Sequence, residues 1–379
     1  MGKSLMGHRA GTAARIVFVL ILVYCFLVSI GLMGAAFKGF GKGFAEQLIS
    51  TTSNPFIGLF IGVLATSLVQ SSSTTTSIVV GMVGSGVLTV SNAIPIVMGA
   101  NIGTTVTNTI VSLGHVSRRE EFRRAIAGAT VHDFFNLICV LIMFPLNLAT
   151  GFLEKLAWYM EELFDGVGGI KFTSPIKTIT QPTIHGIEHI LKEWFNLPDR
   201  AAYIAMVAVS VAILFFALVY LVKTMRSLVI EKVEAVLDDV LGKNAVLAIA
   251  GGAVLTAIIQ SSSITTSLLV PMIAAGILSL EAAFPIVIGA NIGTTGTAIL
   301  ASFATGNPSA IVIAFVHFLF NLIGVLVIYP IKPFRTIPLN LAKALGDLAH
   351  EKRRYAIMYV LGVFFVVPGL LVLIYKLLT

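Results

Sequence analysis

The chain has 379 residues, of which 57% are hydrophobic and only 11% are charged, and it carries a formal net charge of +7. A soluble domain carries about a quarter charged residues, so the composition and the mean hydropathy of +0.96 exclude a soluble globular protein. In a membrane protein an excess of Lys and Arg marks the cytoplasmic loops, so the net charge predicts no nucleic-acid partner.

Apolar stretches of about 20 residues are long enough to cross the hydrocarbon core of a bilayer, and the chain contains several of them. The first stretch is too long for the apolar region of a cleaved signal peptide, so it is interpreted as a retained helix. The predicted spans, in chain order, are Arg15 to Phe37, Asn92 to Leu113, Ala125 to Leu148, Ala201 to Val222, Ala282 to Ala304, Ser309 to Ile331 and Tyr355 to Leu377.

One segment of the chain occurs twice. A shift of 190 residues aligns Gln70 with Gln260, and the match continues without a gap for 36 positions, of which 22 are identical. Both copies begin with QSSS and end with GANIGTT. Farther along the chain, HDFFN at His132 to Asn136 corresponds to HFLFN at His317 to Asn321. The sequence therefore predicts two repeats.

Each QSSS run lies between two apolar segments that are too short to cross a bilayer independently. These segments are Pro55 to Val69 and Thr74 to Leu88 in the first copy, and Ala245 to Ile259 and Ile264 to Leu280 in the second. Each pair predicts a re-entrant helical hairpin that returns to its starting side. Because three spans separate the hairpins, the second copy is expected to be inverted relative to the first, as in many secondary transporters.

The basic residues orient these elements. The N-terminus and the Arg-rich loops His115 to Arg124 and Lys332 to Arg354 fall on one face, which the positive-inside rule assigns to the cytoplasm. On the same face, Lys223 to Asn244 is predicted to form an amphipathic surface helix. The predicted organisation is an all-α polytopic membrane protein with a cytoplasmic N-terminus (1–14), a first repeat (15–148, hairpin 55–88), an extracytoplasmic connection (149–200), a second repeat (201–331, hairpin 245–280), and a cytoplasmic loop with a final transmembrane helix (332–379).

The two QSSS segments have the chemistry of an anion site. A break in a membrane helix frees backbone groups, which is tolerated only beside protein or a wet cavity. At Ser71 to Thr76 and Ser261 to Thr266, hydroxyls and freed amides lie at a helix N-terminus, where the dipole adds about half a positive charge. This combination favours an anion without Arg or Lys. Two such tips facing each other would hold a tetrahedral oxyanion from both sides.

A sodium ion needs hard oxygen ligands, and the same segments supply them. The side-chain oxygens belong to Gln70, Gln260, Asn101, Asn291, Thr104, Thr105, Thr294 and Thr295, and carbonyls freed at the end of the first hairpin arm add the negative end of a helix dipole. Small residues and Ser or Thr also serve as packing devices in membrane helices, so the GANIGTT glycines fit both close helix packing and a site.

His132 and Asp133 form a polar pair in an apolar run, and an ionisable group inside a membrane is by default a functional hypothesis. The corresponding residue of the second repeat, His317, is followed by Phe318, so the carboxylate is not duplicated. The two histidines fit a structural hydrogen-bonding role and a functional role equally.

With these motifs the chain resembles the type II sodium-phosphate cotransporter family, whose hallmark is a QSSS motif in each of two inverted repeats. The similarity is carried by VQSSSTTTSIVV, IPIVMGANIGTTVTNTIV and FRRAIAGATVHDFFN in the first half and by IQSSSITTSLLV and FPIVIGANIGTT in the second. It implies import of inorganic phosphate by alternating access, with sodium as the coupling ion and the only metal, and without another cofactor.

The resemblance implies that phosphate binds at the paired serines and that sodium binds near the glutamines, Thr75, Thr265 and the asparagines, and the side-chain oxygens of the GANIGTT threonines complete both predicted sets. The predicted phosphate-binding residues are Ser71, Ser72, Ser73, Ser261, Ser262, Ser263, Thr104 and Thr294. The predicted sodium-binding residues are Gln70, Thr75, Asn101, Thr105, Gln260, Thr265, Asn291 and Thr295. Animal members carry a glycosylated, disulfide-bearing loop between the repeats, whereas Thr150 to Arg200 has no cysteine and no N-glycosylation sequon. A compact bacterial member in the inner membrane is therefore expected, and a homodimer is left open.

Other functions remain alternatives at this point. Hydroxyl donors recognise the tetrahedral geometry of an anion more than its central element, so a carrier for sulfate or another oxyanion remains an alternative. A proton-coupled carrier and an anion channel also remain alternatives. Serine runs and histidines at membrane depth also fit an intramembrane serine hydrolase. That class is disfavoured because no G-x-S-x-G elbow is present and a nucleophile duplicated in both repeats has no catalytic rationale, so no enzyme activity and no catalytic residue are predicted.

Overall fold

The computed structural model describes residues 2–104, 106–168, 175–240 and 244–378, and these parts of the chain are almost entirely helical. The α-helices are α1 (Gly2–Gly39), α2 (Lys42–Thr52), α3 (Pro55–Val69), α4 (Ser72–Ser85), α5 (Val90–Gly103), α6 (Val106–Leu113), α7 (Arg119–Thr150), α8 (Phe152–Gly168), α9 (Pro175–His189), α10 (Asp199–Val240), α11 (Ala245–Ile259), α12 (Ser262–Ala274), α13 (Leu280–Thr305), α14 (Pro308–Ile328), α15 (Lys332–Glu351), α16 (Arg354–Leu361) and α17 (Val367–Leu378).

Seven membrane spans are confirmed by length and composition among the described residues. They are Ala14–Gly39, Val90–Leu113, Arg119–Thr150, Asp199–Leu228, Leu280–Thr305, Pro308–Ile328 and Arg354–Leu378, each overlapping one predicted span. The second span combines α5 and α6, and the last combines α16 and α17 through a π-helical turn at Gly362–Val366. The fold is therefore the expected all-α polytopic membrane protein.

Both predicted hairpins form, with arms close to the predicted bounds. The first arms begin at asparagine N-caps: Asn54 Oδ1 accepts a hydrogen bond from Phe56 N at 2.9 Å, and Asn244 Oδ1 accepts one from Val246 N at 2.8 Å. The second arms end earlier than predicted, at Ser85 and Ala274. The earlier ends have a local cause, because Gly86 and Gly276 adopt left-handed φ values of 82° and 76° that end helices.

The two hairpins enter from opposite ends of the bundle. At the base of the first, Asn307 Nδ2 donates to Gly84 O at 2.9 Å, just beyond the end of α13. At the base of the second, Arg124 Nε donates to Ala274 O at 2.8 Å, beside the start of α13. Because the 26 residues of α13 span about 39 Å, the bases lie a membrane thickness apart. The repeats are therefore inverted.

The first arm of each hairpin packs tightly along the GANIGTT helix of the same repeat. A Cβ atom built on Gly99 of α5 would overlap the carbonyl of Leu59 in α3, and one built on Gly289 of α13 would overlap the carbonyl of Ile249 in α11. Backbones this close require glycine, the packing device that small residues provide in membranes. These glycines therefore have the packing role, equivalently in both repeats.

The segment after the fourth span differs from its prediction. No separate surface helix begins at Lys223, because α10 continues without a break from Asp199 to Val240. The physical reason is that residues 223–240 contain neither Gly nor Pro to end the helix. The connection between the repeats contains α8, which buries Leu153 and Ala157, and α9.

Candidate functional site

Both hairpins turn at the glutamine of the QSSS motif. Gln70 has φ 59° and ψ 26°, and Gln260 has φ 63° and ψ 22°, which is the left-handed region that costs a residue with a Cβ roughly 1–2 kcal/mol. Among the described residues only Asn196 is another non-glycine with positive φ. Unfavourable backbone at two symmetry-related positions is typical of a functional site.

Each glutamine is followed by an extended serine that begins the second hairpin arm. Ser71 and Ser261 have φ values of −154° and −152° and are the N-caps of α4 and α12. Ser71 Oγ accepts a hydrogen bond from Thr74 N at 3.1 Å. The N-termini of α4 and α12, which are the positive ends of their helix dipoles, therefore lie at the hairpin tips.

The two tips meet although they come from opposite ends of the bundle. Ser73 Oγ of α4 donates a hydrogen bond to the backbone oxygen of Gln260 at 3.3 Å. Both tips line one cavity of about 380 Å³, which α10 closes on the other side. Its lining residues from the hairpins are Val69, Gln70, Ser71, Ser73, Thr74, Gln260, Ser261 and Ile264, and those from α10 are Phe215, Leu218, Val219, Val222, Lys223 and Arg226.

Of the predicted phosphate-binding residues, the structure brings Ser71, Ser73 and Ser261 to this cavity. The other five do not line it. Ser72 and Ser262 are buried, and Ser263 is half-buried. Thr104 and Thr294 are also buried, and their hydroxyls donate to Ala100 O at 3.1 Å and Ala290 O at 3.0 Å within their own helices.

Of the predicted sodium-binding residues, the two glutamines lie at the cavity with their side chains held in equivalent ways. The amide nitrogens of Gln70 and Gln260 donate to Ser67 O and Ala257 O. The amide oxygens accept from Thr107 Oγ1 at 3.0 Å and Thr297 Oγ1 at 2.7 Å. A carbonyl oxygen has two acceptor positions, so each amide oxygen keeps one for a cation.

The predicted sodium ligands Thr75, Thr265 and Thr295 are buried and do not line the cavity. The Thr75 hydroxyl donates to Ser71 O at 3.1 Å, Thr265 Oγ1 accepts from Thr256 Oγ1 at 2.8 Å, and Thr295 Oγ1 donates to Ile292 O at 2.7 Å. Thr105 lies outside the described residues. The two glutamines therefore lie on the cavity wall, whereas these three threonines are buried.

Asn101 and Asn291 lie away from the cavity in a buried polar network, in which each pairs with a histidine of the other repeat. His132 Nε2 donates to Asn291 Oδ1, and His317 Nε2 donates to Asn101 Oδ1 at 3.3 Å. Asn136 links the two pairs, accepting from Asn291 Nδ2 at 2.7 Å and donating to Asn101 O at 2.8 Å. The structure thus gives both histidines a hydrogen-bonding role that joins the repeats.

Asp133 lies beside this network but contacts a different element. Its Oδ2 accepts a hydrogen bond from the Tyr359 hydroxyl at 3.3 Å, while its Oδ1 is buried without a hydrogen-bond partner. Asp133, which has no counterpart in the second repeat, therefore contacts the last span, which lies outside both repeats.

The structure adds polar residues that the sequence reasoning did not single out. Thr107 and Thr297 fix the motif glutamines, and both also align at the 190-residue offset just beyond the matched block, so the repeat itself was a usable signal. Asn108 has no counterpart in the second repeat, yet its Oδ1 accepts from Thr266 Oγ1 at 2.9 Å. Lys223 and Arg226, for which the sequence predicts a surface helix, line the cavity instead.

Comparisons with known proteins point to one family. A family model described as Na+/Pi-cotransporter matches residues 25–168 and 213–329. The chain is 37% identical to sodium-dependent phosphate transport protein 2B of Homo sapiens, over 93% of this chain and 64% of that protein. It is 36% identical to the 2B protein of Pongo abelii over the same shares, and 36% identical to sodium-dependent phosphate transport protein 2A of Ovis aries, over 96% of this chain and 68% of that protein. The chain thus spans slightly less than two thirds of the 2B proteins. No solved structure matches the chain.

Proposed function

Because the chain belongs to the Na+/Pi-cotransporter family, we propose that it carries inorganic phosphate across a membrane with sodium as the coupling ion. The observation that carries this proposal is the cavity shared by two inverted hairpin tips. A single anion in that cavity would face donors from both repeats, which is the arrangement that a carrier working by alternating access requires.

Phosphate is proposed to bind between the N-termini of α4 and α12. The hydroxyls of Ser71, Ser73 and Ser261 line this space, and each can donate to an anion oxygen. The Ser73 hydroxyl now donates to Gln260 O at the long distance of 3.3 Å, so little is lost when it turns to a ligand. Ser72, Ser262 and Ser263, which do not line the cavity, would contribute through the backbone amides of the first helical turns.

Sodium is proposed to bind at the same tips, next to the anion. The amide oxygens of Gln70 and Gln260 are already oriented by Thr107 and Thr297, and the last carbonyls of α3 and α11 face the same break. Such oxygens are the ligands that hard cations take. No other cofactor is required, and the activity is transport and not catalysis.

The proposed location is a bacterial inner membrane, with the N-terminus in the cytoplasm. The Arg-rich start of α7 and the start of α1 would then lie inside by the positive-inside rule. In that orientation the cavity, with Lys223 and Arg226 on its wall, opens toward the cytoplasm. At the other end, Asn307 donates to Gly84 O and joins the two repeats, as expected of a closed outer gate.

Uptake of radiolabelled phosphate into proteoliposomes tests this proposal. We expect uptake driven by an inward sodium gradient, none with choline in place of sodium, and little competition by sulfate. Ser71→Ala should weaken phosphate uptake, whereas Ser85→Ala, at the far end of the same helix α4, should not. Sodium-independent uptake would favour a proton-coupled carrier or a channel, and equal competition by sulfate would favour a general oxyanion carrier.

A further inference from the structure

Two cationic side chains lie on the wall of the tip cavity. Lys223 and Arg226 are three residues apart on α10, so they share one helix face, and both side chains are exposed. No ion pair joins either cation to a carboxylate among the side chains that the structure describes. The Lys223 ammonium has an aromatic neighbour, the ring of Tyr220, whose centroid is 5.2 Å from Nζ.

Both cations lie at the mouth of the cavity. The α10 wall runs from Phe215 to Arg226, which is about 16 Å of helix, with apolar residues at the deep end and both cations at the other. Lys223 also lies level with Arg15, since both line a neighbouring shallow pocket at the start of the first span. The cations therefore stand between the hairpin tips and the aqueous face that carries Arg15.

We propose that Lys223 and Arg226 form an anion-capture subsite through which phosphate passes between this aqueous face and the hairpin tips. The proposal rests on the proposed function of the same cavity. Inorganic phosphate carries more than one negative charge near neutral pH, and two helix N-termini supply only about half a positive charge each. Cations at the entrance of a low-dielectric cleft raise the local anion concentration and the rate of entry. Their exposure keeps the attraction weak enough for release.

The competing explanation is that both residues merely anchor α10 at the membrane interface, as long basic side chains commonly do. The two explanations differ in sidedness. An anchor affects phosphate arriving from both faces equally, through folding or expression. A capture subsite affects only phosphate that enters through this mouth. Arg15 is the matched control, because it lies at the same end of the bundle but does not line the tip cavity.

The experiment compares labelled phosphate uptake by everted and right-side-out membrane vesicles, with sodium driving uptake in each and protein amount normalised. In the double variant Lys223→Gln and Arg226→Gln we expect the KM for phosphate to rise about tenfold in the vesicles that expose the Arg15 face. The KM in the opposite vesicles should stay unchanged. The wild-type KM at the Arg15 face should also rise steeply with ionic strength, and the variant should lose most of this dependence.

Two further variants complete the test. The charge-preserving exchange Lys223→Arg with Arg226→Lys should retain the low KM and its salt dependence, while Arg15→Gln should leave KM unchanged on both faces. An equal KM change on both faces, or the same change in Arg15→Gln, would overturn the capture subsite while leaving the proposed function intact. If wild-type vesicles show no sodium-driven phosphate uptake, the proposed function fails and this proposal fails with it.

Discussion

At the residue scale, the motif glutamines combine an unfavourable backbone with a fixed side chain. A glycine at either position would adopt the left-handed conformation without cost, yet a glutamine is present in both repeats. The hydrogen bonds from Thr107 and Thr297 to the amide oxygens show what the side chain contributes, which is an oxygen held at the hairpin tip. The unfavourable backbone thus coincides with an amide oxygen that is held in place, as the proposed sodium site requires.

Substituting these glutamines by glycine should therefore separate stability from sodium binding. In Gln70→Gly or Gln260→Gly we expect a nearly unchanged melting temperature. The relieved left-handed cost of roughly 1–2 kcal/mol offsets the loss of two side-chain hydrogen bonds, worth about 0.5–1.5 kcal/mol each. The sodium concentration for half-maximal phosphate binding should rise about 10- to 150-fold, since a lost interaction with a charged group costs roughly 1.5–3 kcal/mol. Asn196→Gly, the same change at a positive φ outside the cavity, should leave the sodium dependence unaltered. Unchanged sodium dependence in both glutamine variants would remove them from the cation site.

The buried histidines and asparagines predict a specific pattern of energetic coupling. Because His132 contacts the Asn291 side chain, the variants His132→Ala and Asn291→Ala should be non-additive, with a coupling free energy of about 0.5–3 kcal/mol. The control pair His132 and Asn101 shares no hydrogen bond in the described part of the chain, since Asn101 Oδ1 accepts from His317 instead, so its coupling should be smaller. Thermal unfolding of the purified single and double variants in detergent measures both. Equal coupling in the two pairs would contradict the crosswise arrangement.

At the element scale, the hairpins could be predicted from the sequence because their signals are local. Short apolar segments, a polar break and a repeat offset of 190 residues define them without tertiary information. The pairing of His132 with Asn291 could not be predicted from the sequence. The two residues lie 159 positions apart, a separation that differs from the repeat offset of 190 residues. The contribution of α10 to the cavity wall could likewise not be predicted. A basic stretch after a membrane span has the same sequence whether it faces a cavity or lipid headgroups.

The tight packing between hairpin arms and GANIGTT helices gives a prediction at this scale. Gly99→Ala or Gly289→Ala should lower the yield of folded protein and abolish phosphate binding, because the added methyl group meets a backbone carbonyl that cannot move aside. Gly369→Ala in α17 is the matched control, as it also lies in a membrane span but has open space around the new Cβ. It should gain slightly from the higher helix propensity of alanine. Size-exclusion profiles of the detergent-solubilised variants provide the measurement, and a monodisperse Gly99→Ala variant that still binds phosphate would contradict this packing role.

At the scale of the whole molecule, the inverted repeats place equivalent helix N-termini around one central space. The hairpin bases lie at opposite ends of α13, and the tips touch through Ser73 and Gln260. Each hairpin is therefore anchored at one side of the membrane, and both reach the same cavity. A change that opens one base while closing the other would expose that cavity to each side in turn, with the buried histidine and asparagine pairs holding the repeats together.

The charge of this central space leads to the last prediction, that sodium and phosphate bind cooperatively. Around the tips, the lining residues from both hairpins include no cationic side chain, and helix dipoles of about half a charge each do not offset the cost of removing phosphate from water. Lys223 and Arg226 at the mouth do not lie between the tips, so sodium beside Gln70 or Gln260 has to supply the missing charge. By linkage, sodium must then tighten phosphate binding by the same factor as phosphate tightens sodium binding.

Phosphate binding to the purified protein, titrated in sodium and in choline at constant ionic strength, measures this coupling. We expect the phosphate dissociation constant to fall about 5- to 150-fold in sodium, the range of typical coupling free energies, and the sodium dissociation constant to fall by an equal factor when phosphate is saturating. Constant ionic strength matters because screening at Lys223 and Arg226 then stays the same in both salts. Equal phosphate affinity in sodium and choline would exclude sodium coupling at the tips, and unequal factors in the two titrations would show that phosphate binding is coupled to more than one sodium ion.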